Sequence, residues 1–100
     1  MRKIYISGCM TVVGMEQAKI DFDRAQDRLE YRGWWHTEII NPDARGIIEG
    51  WEWIDYMVDD LKCISTCTHM YMISGWERSP GAKIEHACAT RMGLTIMYED

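Results

Sequence analysis

The residues best suited to chemistry lie in one run, Gly75 to Ala87, which reads GWERSPGAKIEHA. The pattern is a loop, a helix start, and a carboxylate on the second helical turn. Ser79 has the side chain of an N-cap, and Pro80 fits the first helical position, where no backbone N–H is needed. The free N–H groups of such a helix start can hold an anion, and Pro80 removes one donor from that set. Glu85 follows the cap by six residues, so its carboxyl is expected near the loop mouth rather than far along the helix. Gly75 and Gly81 allow close approach of backbone to a ligand. Trp76 offers a flat apolar face to a base or sugar. A carboxyl group beside such a surface can act as a nucleophile or as an acid–base group. A second turn, Ser7-Gly8-Cys9-Met10, follows a β-rich run that contains Tyr5.

These two turns need a scaffold that brings them together. Lys3 to Ser7 reads as a strand. Met15 to Arg32 carries Ala18, Phe22, Ala25 and Leu29 at helical spacing, with Gly33 as its stop. Thr37 to Asn41 is a short strand halted by Pro42, and Asp43 to Gly50 is a connecting loop. Trp51 to about Cys63 is a helix whose apolar stripe is read as Trp51, Ile54, Met57, Val58 and Leu61. His69 to Ser74 is a buried strand, and a helix follows from the Ser79 cap to about Met92. Leu94 to Tyr98 is the last strand. Strands alternating with helices predict an α/β fold of the three-layer, flavodoxin-like or Rossmann-like kind. The expected sheet has four parallel strands in the order 2-1-3-4 and carries three helices. Ligands of such sheets sit beyond the carboxyl ends of the strands, where the order reverses. That point falls between the first and third strands, where the Ser7–Met10 and Ser74–Gly81 turns meet. Tyr5 then lies within reach of Glu85.

The residues Ile4 to Gly8, Asn41-Pro42, Trp53 with Tyr56-Met57, and Gly75 to Glu85 resemble the nucleoside 2-deoxyribosyltransferase superfamily. The nearest pattern is a small, often phage-encoded branch of it, and the likeness spans nearly the whole chain. The GWERSPGAKIEHA segment is its most specific part. The resemblance implies that Glu85 is a nucleophile at C1′ of a (deoxy)ribosyl group and that Tyr5 orients it. It implies base exchange or hydrolysis through a covalent glycosyl–Glu85 ester, the logic of retaining glycosidases. Ser7, Gly8, Trp76, Ser79 and Gly81 would form the substrate pocket. Ser79 stands where nucleotide-hydrolysing relatives carry serine near a 5′-phosphate, which favours a nucleoside 5′-monophosphate as ligand. No metal and no organic cofactor is expected, and assembly as a homo-oligomer is. The competing reading is a non-catalytic nucleotide-binding or sequestering protein on the same fold. It is motivated by Cys9 and Thr68, where the branch carries proline and aspartate.

The bulk properties narrow the field. One hundred residues suffice for a single domain, expected to span 1–100, and 47% hydrophobic with 27% charged residues is a globular composition. A net charge of −5 gives no basis for binding a nucleic-acid backbone or an anionic membrane, although a local donor cluster can still hold a small anion. No run approaches the ~18 apolar residues of a membrane span, and Met-Arg-Lys leads straight into a strand rather than a signal sequence. A cytoplasmic location is therefore expected. Cys9, Cys63, Cys67 and Cys88 are read as free thiols. A zinc site from Cys63, Cys67 and His69 lacks the paired CxxC spacing. Asp59 and Asp60 are adjacent on a helix and do not face each other. His86 points about 100° away from Glu85 and is read as a surface or interface residue. Trp34, Trp35, Trp51 and Trp53 exceed what the core of a small monomer needs, so some of them are assigned to a subunit interface.

Overall fold

The computed structural model describes residues 2–10, 13–34 and 37–99. Four strands and three α-helices alternate: β1 (Lys3–Ser7), α1 (Met15–Tyr31), β2 (Glu38–Ile40), α2 (Trp53–Ile64), β3 (His69–Met72), α3 (Pro80–Arg91) and β4 (Thr95–Tyr98). All pairings are parallel, and the sheet order is β2-β1-β3-β4. The expected three-layer α/β fold is therefore the observed one.

Side chains alternate across a strand, and β1 uses both faces of the sheet. Ile4 and Ile6 pack with Tyr71 and Ile73 against Ala18, Phe22, Ala25 and Leu29 of α1. Tyr5 points the other way, into a cluster that holds Met70 and Met72 with Ile64 of α2 and with Ala82 and Ala89 of α3. Helix α1 thus covers one face, while α2 and α3 cover the other. Glu99 fastens the end of β4 to this frame. Its side chain is 2% exposed and pairs with Arg24 and Arg28 of α1, and it accepts a hydrogen bond from Ser74 N.

Helix boundaries follow their caps. Helix α2 starts at Trp53, two residues after the expected Trp51, because Glu52 and Asp55 form a reciprocal capping box. Its apolar stripe is also rotated from the expected one. The buried residues are Met57, Asp60 and Ile64, whereas Ile54 and Val58 are exposed. Helix α3 begins as expected, with Ser79 Oγ accepting from Ala82 N at 3.2 Å and Pro80 at the first position. The expected loop after β2 contains a 3₁₀ turn, Pro42–Arg45, capped by Asn41.

The tryptophans do not behave as one group. Trp34 is a core residue, packed edge-on against His69 beneath the Arg2 guanidinium. Trp51 packs edge-on against Tyr56. Trp53 is 52% exposed. Trp35 lies outside the described residues. Among the described residues, no helix is long and apolar enough to cross a membrane.

Candidate active site

The site is assembled from β1 outward. Tyr5 and Ser7 are two residues apart on one strand, so their side chains leave the same face. That face meets the second turn of α3, where Glu85 sits. Tyr5 donates its hydroxyl hydrogen bond to Glu85 Oε2 at 3.0 Å, and Ser7 donates to Oε1 at 2.7 Å. Both carboxyl oxygens are therefore held by donors fixed in the central strand. Glu85 is only 6% exposed, and Tyr5 and Ser7 are buried. A buried glutamate with two dedicated donors is not an ordinary helix-surface residue.

Glu85 borders a cavity of about 890 Å³. Ligand sites commonly occupy roughly 300–1,000 Å³. The cavity lies at the carboxyl ends of β1 and β2 and beside the start of α3, next to the β1–β3 boundary where the strand order reverses. Tyr5 lines it from β1 and Gly8 from the turn just after, and the Ser79 cap lines it with Gly81, Ala82 and Glu85 of α3. Trp53, Tyr56, Met57 and Asp60 of α2 face them, and Met15, Lys19 and Phe22 of α1 contribute the remaining wall with the Pro42–Ile47 turn. The walls combine apolar and aromatic surface with a few carboxyl groups.

Glycine is required at the β1 end of this site. A Cβ on Gly8 would lie 2.9 Å from Cβ of Ile73, a buried core residue. Gly81 is close-packed by Met57 and Trp53, which lets α2 approach the start of α3. Gly8→Ala is expected to destabilise the domain by about 1–3 kcal/mol through overpacking. Urea unfolding would read this as a lower midpoint at unchanged slope.

The carboxyl of Glu85 is pushed up from its ordinary value of 4.5 to about 8. Burial is the main cause, and the nearby Asp60 charge adds to it, while the hydrogen bonds from Ser7 and Tyr5 oppose it. Asp60 is buried and lines the same cavity as Glu85. The Tyr5 hydroxyl is raised well above its ordinary value by burial, then by the Glu85 charge, so it remains a donor. Asp60 is 8% exposed and accepts from Arg45 Nη1 at 2.7 Å.

Of the residues expected at the site, Tyr5, Gly8, Ser79, Gly81 and Glu85 line the cavity. Ser7 does not line it and instead binds Glu85. Trp76 does not line it either. The 3₁₀ turn Trp76–Arg78 places its ring on the His86 face of α3, stacked at 4.4 Å, while Glu85 faces the sheet. His86 is hydrogen-bonded to Tyr98 Oη at 2.8 Å. These three rings form a separate aromatic group.

Asp60 does not pair with its neighbour Asp59, yet it lines the cavity. The usable signal was its register on α2, where it falls with Met57 and Ile64 on the buried stripe. Cys9 and Thr68, which motivated the non-catalytic alternative, are both outside the cavity lining. Cys9 donates from Sγ to Gly75 O and ties the two site turns together. Thr68 bonds the Lys3 backbone at the opposite, amino-terminal end of the strands.

Residues 2–98 match the family described as a domain of unknown function, DUF4406. The chain belongs to the DUF4406 family. No curated protein and no solved structure matches it. This DUF4406 domain thus carries Tyr5, Ser7 and Glu85 in one buried hydrogen-bonded group.

Proposed function

We propose that this protein cleaves or exchanges the N-glycosidic bond of nucleosides through a covalent glycosyl–Glu85 intermediate. The observation that carries the reading is the buried Glu85 carboxyl, held by Tyr5 and Ser7 at the wall of a cavity of about 890 Å³. A carboxyl immobilised at both oxygens is oriented for attack on one position of a bound ligand. The likeness of GWERSPGAKIEHA to deoxyribosyltransferases supplies the reaction class.

Glu85 holds a proton below about pH 8. It passes that proton to Asp60 as it becomes the nucleophile. The freed oxygen attacks C1′ of the sugar, the C1′–N bond breaks, and its electron pair goes to the base. The base takes the proton from Asp60. An ester now joins C1′ to Glu85. Water or a second base then attacks C1′, Glu85 leaves as the carboxylate, and the proton released by the attacking group passes by way of Asp60 to Glu85, which restores the starting state. Two easier displacements replace one difficult one.

The charge of the cavity favours uncharged nucleosides over their 5′-monophosphates. Its described cations, Lys19 and Arg45, are already paired with Asp23 and with Asp59 and Asp60. Glu16, Asp43 and Asp60 add negative charge at its walls.

Rapid acid quench during turnover, followed by peptide mass spectrometry, tests the intermediate. A pentosyl or deoxypentosyl mass on the peptide carrying Glu85 is the expected result. Base release with the adduct on another residue overturns the assignment.

A further inference from the structure

Arg45 lines the cavity, is held by several partners at once, and takes no part in the reaction above. It ends the 3₁₀ turn Pro42–Arg45. That turn is anchored on the α1 side by Asn41, whose Nδ2 donates to Gln26 Oε1 at 3.0 Å. Across the cavity wall a single nitrogen, Arg45 Nη1, donates to Asp59 Oδ2 at 2.8 Å and to Asp60 Oδ1 at 2.7 Å. The guanidinium lies 4.9 Å from the Tyr56 ring centroid and 5.7 Å from that of Trp51. Tyr56 is itself pinned, with its hydroxyl bonded to the backbone of Ile48. Arg45 Nε is buried and has no hydrogen-bond partner among the described residues. The side chain therefore forgoes one hydrogen bond to keep Nη1 between the two carboxylates. An unsatisfied buried donor is costly, so the pose is dictated by its partners.

We propose that Arg45 is a positioning residue that holds the Asp60 carboxylate at the cavity wall it shares with Glu85 and compensates its charge there. This rests on the proposed reaction for its purpose, but its physical content does not. Two neighbouring carboxyl groups in a buried site repel unless a cation compensates one of them. Lys19, the other described cation of the cavity, is exposed and paired with Asp23, so it does not serve. The groups facing the acid pair are Tyr5 and Ser7 from β1, Arg45 from the 3₁₀ turn, Asp59 and Cys63 from α2, and Ser79 from α3. Only Arg45 among them brings positive charge. Lysine cannot reproduce it fully, because a planar guanidinium stacks on an aromatic ring and an ammonium does not.

The test titrates the carboxyl carbon of Glu85 by NMR in ligand-free protein. In Arg45→Gln the Asp60 charge is unscreened, so Glu85 holds its proton to higher pH. The midpoint is expected to rise above about 8 by roughly half a pH unit or more. Arg45→Lys should bring it part of the way back. In Asp60→Asn the midpoint falls, and adding Arg45→Gln to that variant should leave less than about a third of the single-variant shift. An equal shift with and without Asp60, or none in Arg45→Gln, overturns the proposal. If Arg45→Gln does not fold, Arg45→Lys carries the test, since an unmoved midpoint there is equally fatal. The readout needs no substrate. Loss of the glycosidic reading with the titration as expected therefore leaves Arg45 standing, and the reverse outcome is equally distinct.

Discussion

Glu85→Gln is expected to reduce base release by roughly 10³-fold or more, because it removes the nucleophile while leaving the pocket intact. Glutamine has the same shape, and its amide oxygen can accept from Tyr5 as the carboxylate oxygen does. The Ser7 hydroxyl can turn to accept from the amide N–H. Ligand binding should therefore survive. A variant that still binds nucleoside but releases no base separates chemistry from recognition. Direct calorimetric binding beside a base-release assay makes that separation. Binding lost together with turnover would mean that Glu85 serves the pocket rather than the reaction.

The same substitution is expected to stabilise the folded domain at alkaline pH. In the folded chain Glu85 keeps its proton up to about pH 8, whereas in the unfolded chain it loses it around its ordinary value of 4.5. Between those values the folded state binds more protons than the unfolded state, so stability falls as pH rises. Below the lower value both states are protonated and the site contributes nothing to the pH dependence. Above the upper value the full cost of a buried carboxylate near Asp60 is present. Glutamine carries no charge and escapes that cost. At pH 9 the gain should be on the order of 2–4 kcal/mol, which raises Tm by about 8 °C or more in a domain of this size. The two melting curves should converge near pH 4. A Glu85→Gln protein that is less stable than the wild type at pH 9 would show that the carboxylate is a structural anchor. Loss of stability to hold a charged group in place is what a reactive site requires.

The layout of the fold was legible because the signals agreed with one another. The stops at Gly33, Pro42 and Gly93, the Ser79-Pro80 helix start and the strand–helix alternation all specify the same parallel sheet. Once the order β2-β1-β3-β4 was expected, the meeting of Tyr5 with Glu85 followed from topology. The α2 helix was harder to read. Its exposed face carries Ile54 and Val58, and its buried stripe carries Asp60, so hydrophobicity alone gives the wrong phase. A carboxylate on a buried stripe is what a functional site looks like locally, since it breaks the pattern that packing alone would produce.

Trp76 shows the opposite failure. Its glycine-flanked loop suggested a ligand contact, but the short 3₁₀ turn folds the ring back onto His86. Nothing in residue type distinguishes those two orientations. Ser7 was placed in the pocket, although its spacing of two from Tyr5 already put both hydroxyls on one face. Arg45 left no sequence signal at all, because it becomes informative only when α2 brings Asp59 and Asp60 to it.

The most direct test of the central claim incubates the protein with ribo- and deoxyribonucleosides and their 5′-monophosphates, with and without an acceptor base. Free and exchanged bases are separated by chromatography, beside Glu85→Gln. The account predicts base release or exchange from at least one uncharged nucleoside, lost in the variant. Release that persists in Glu85→Gln, or no release from any member of the panel, would contradict it.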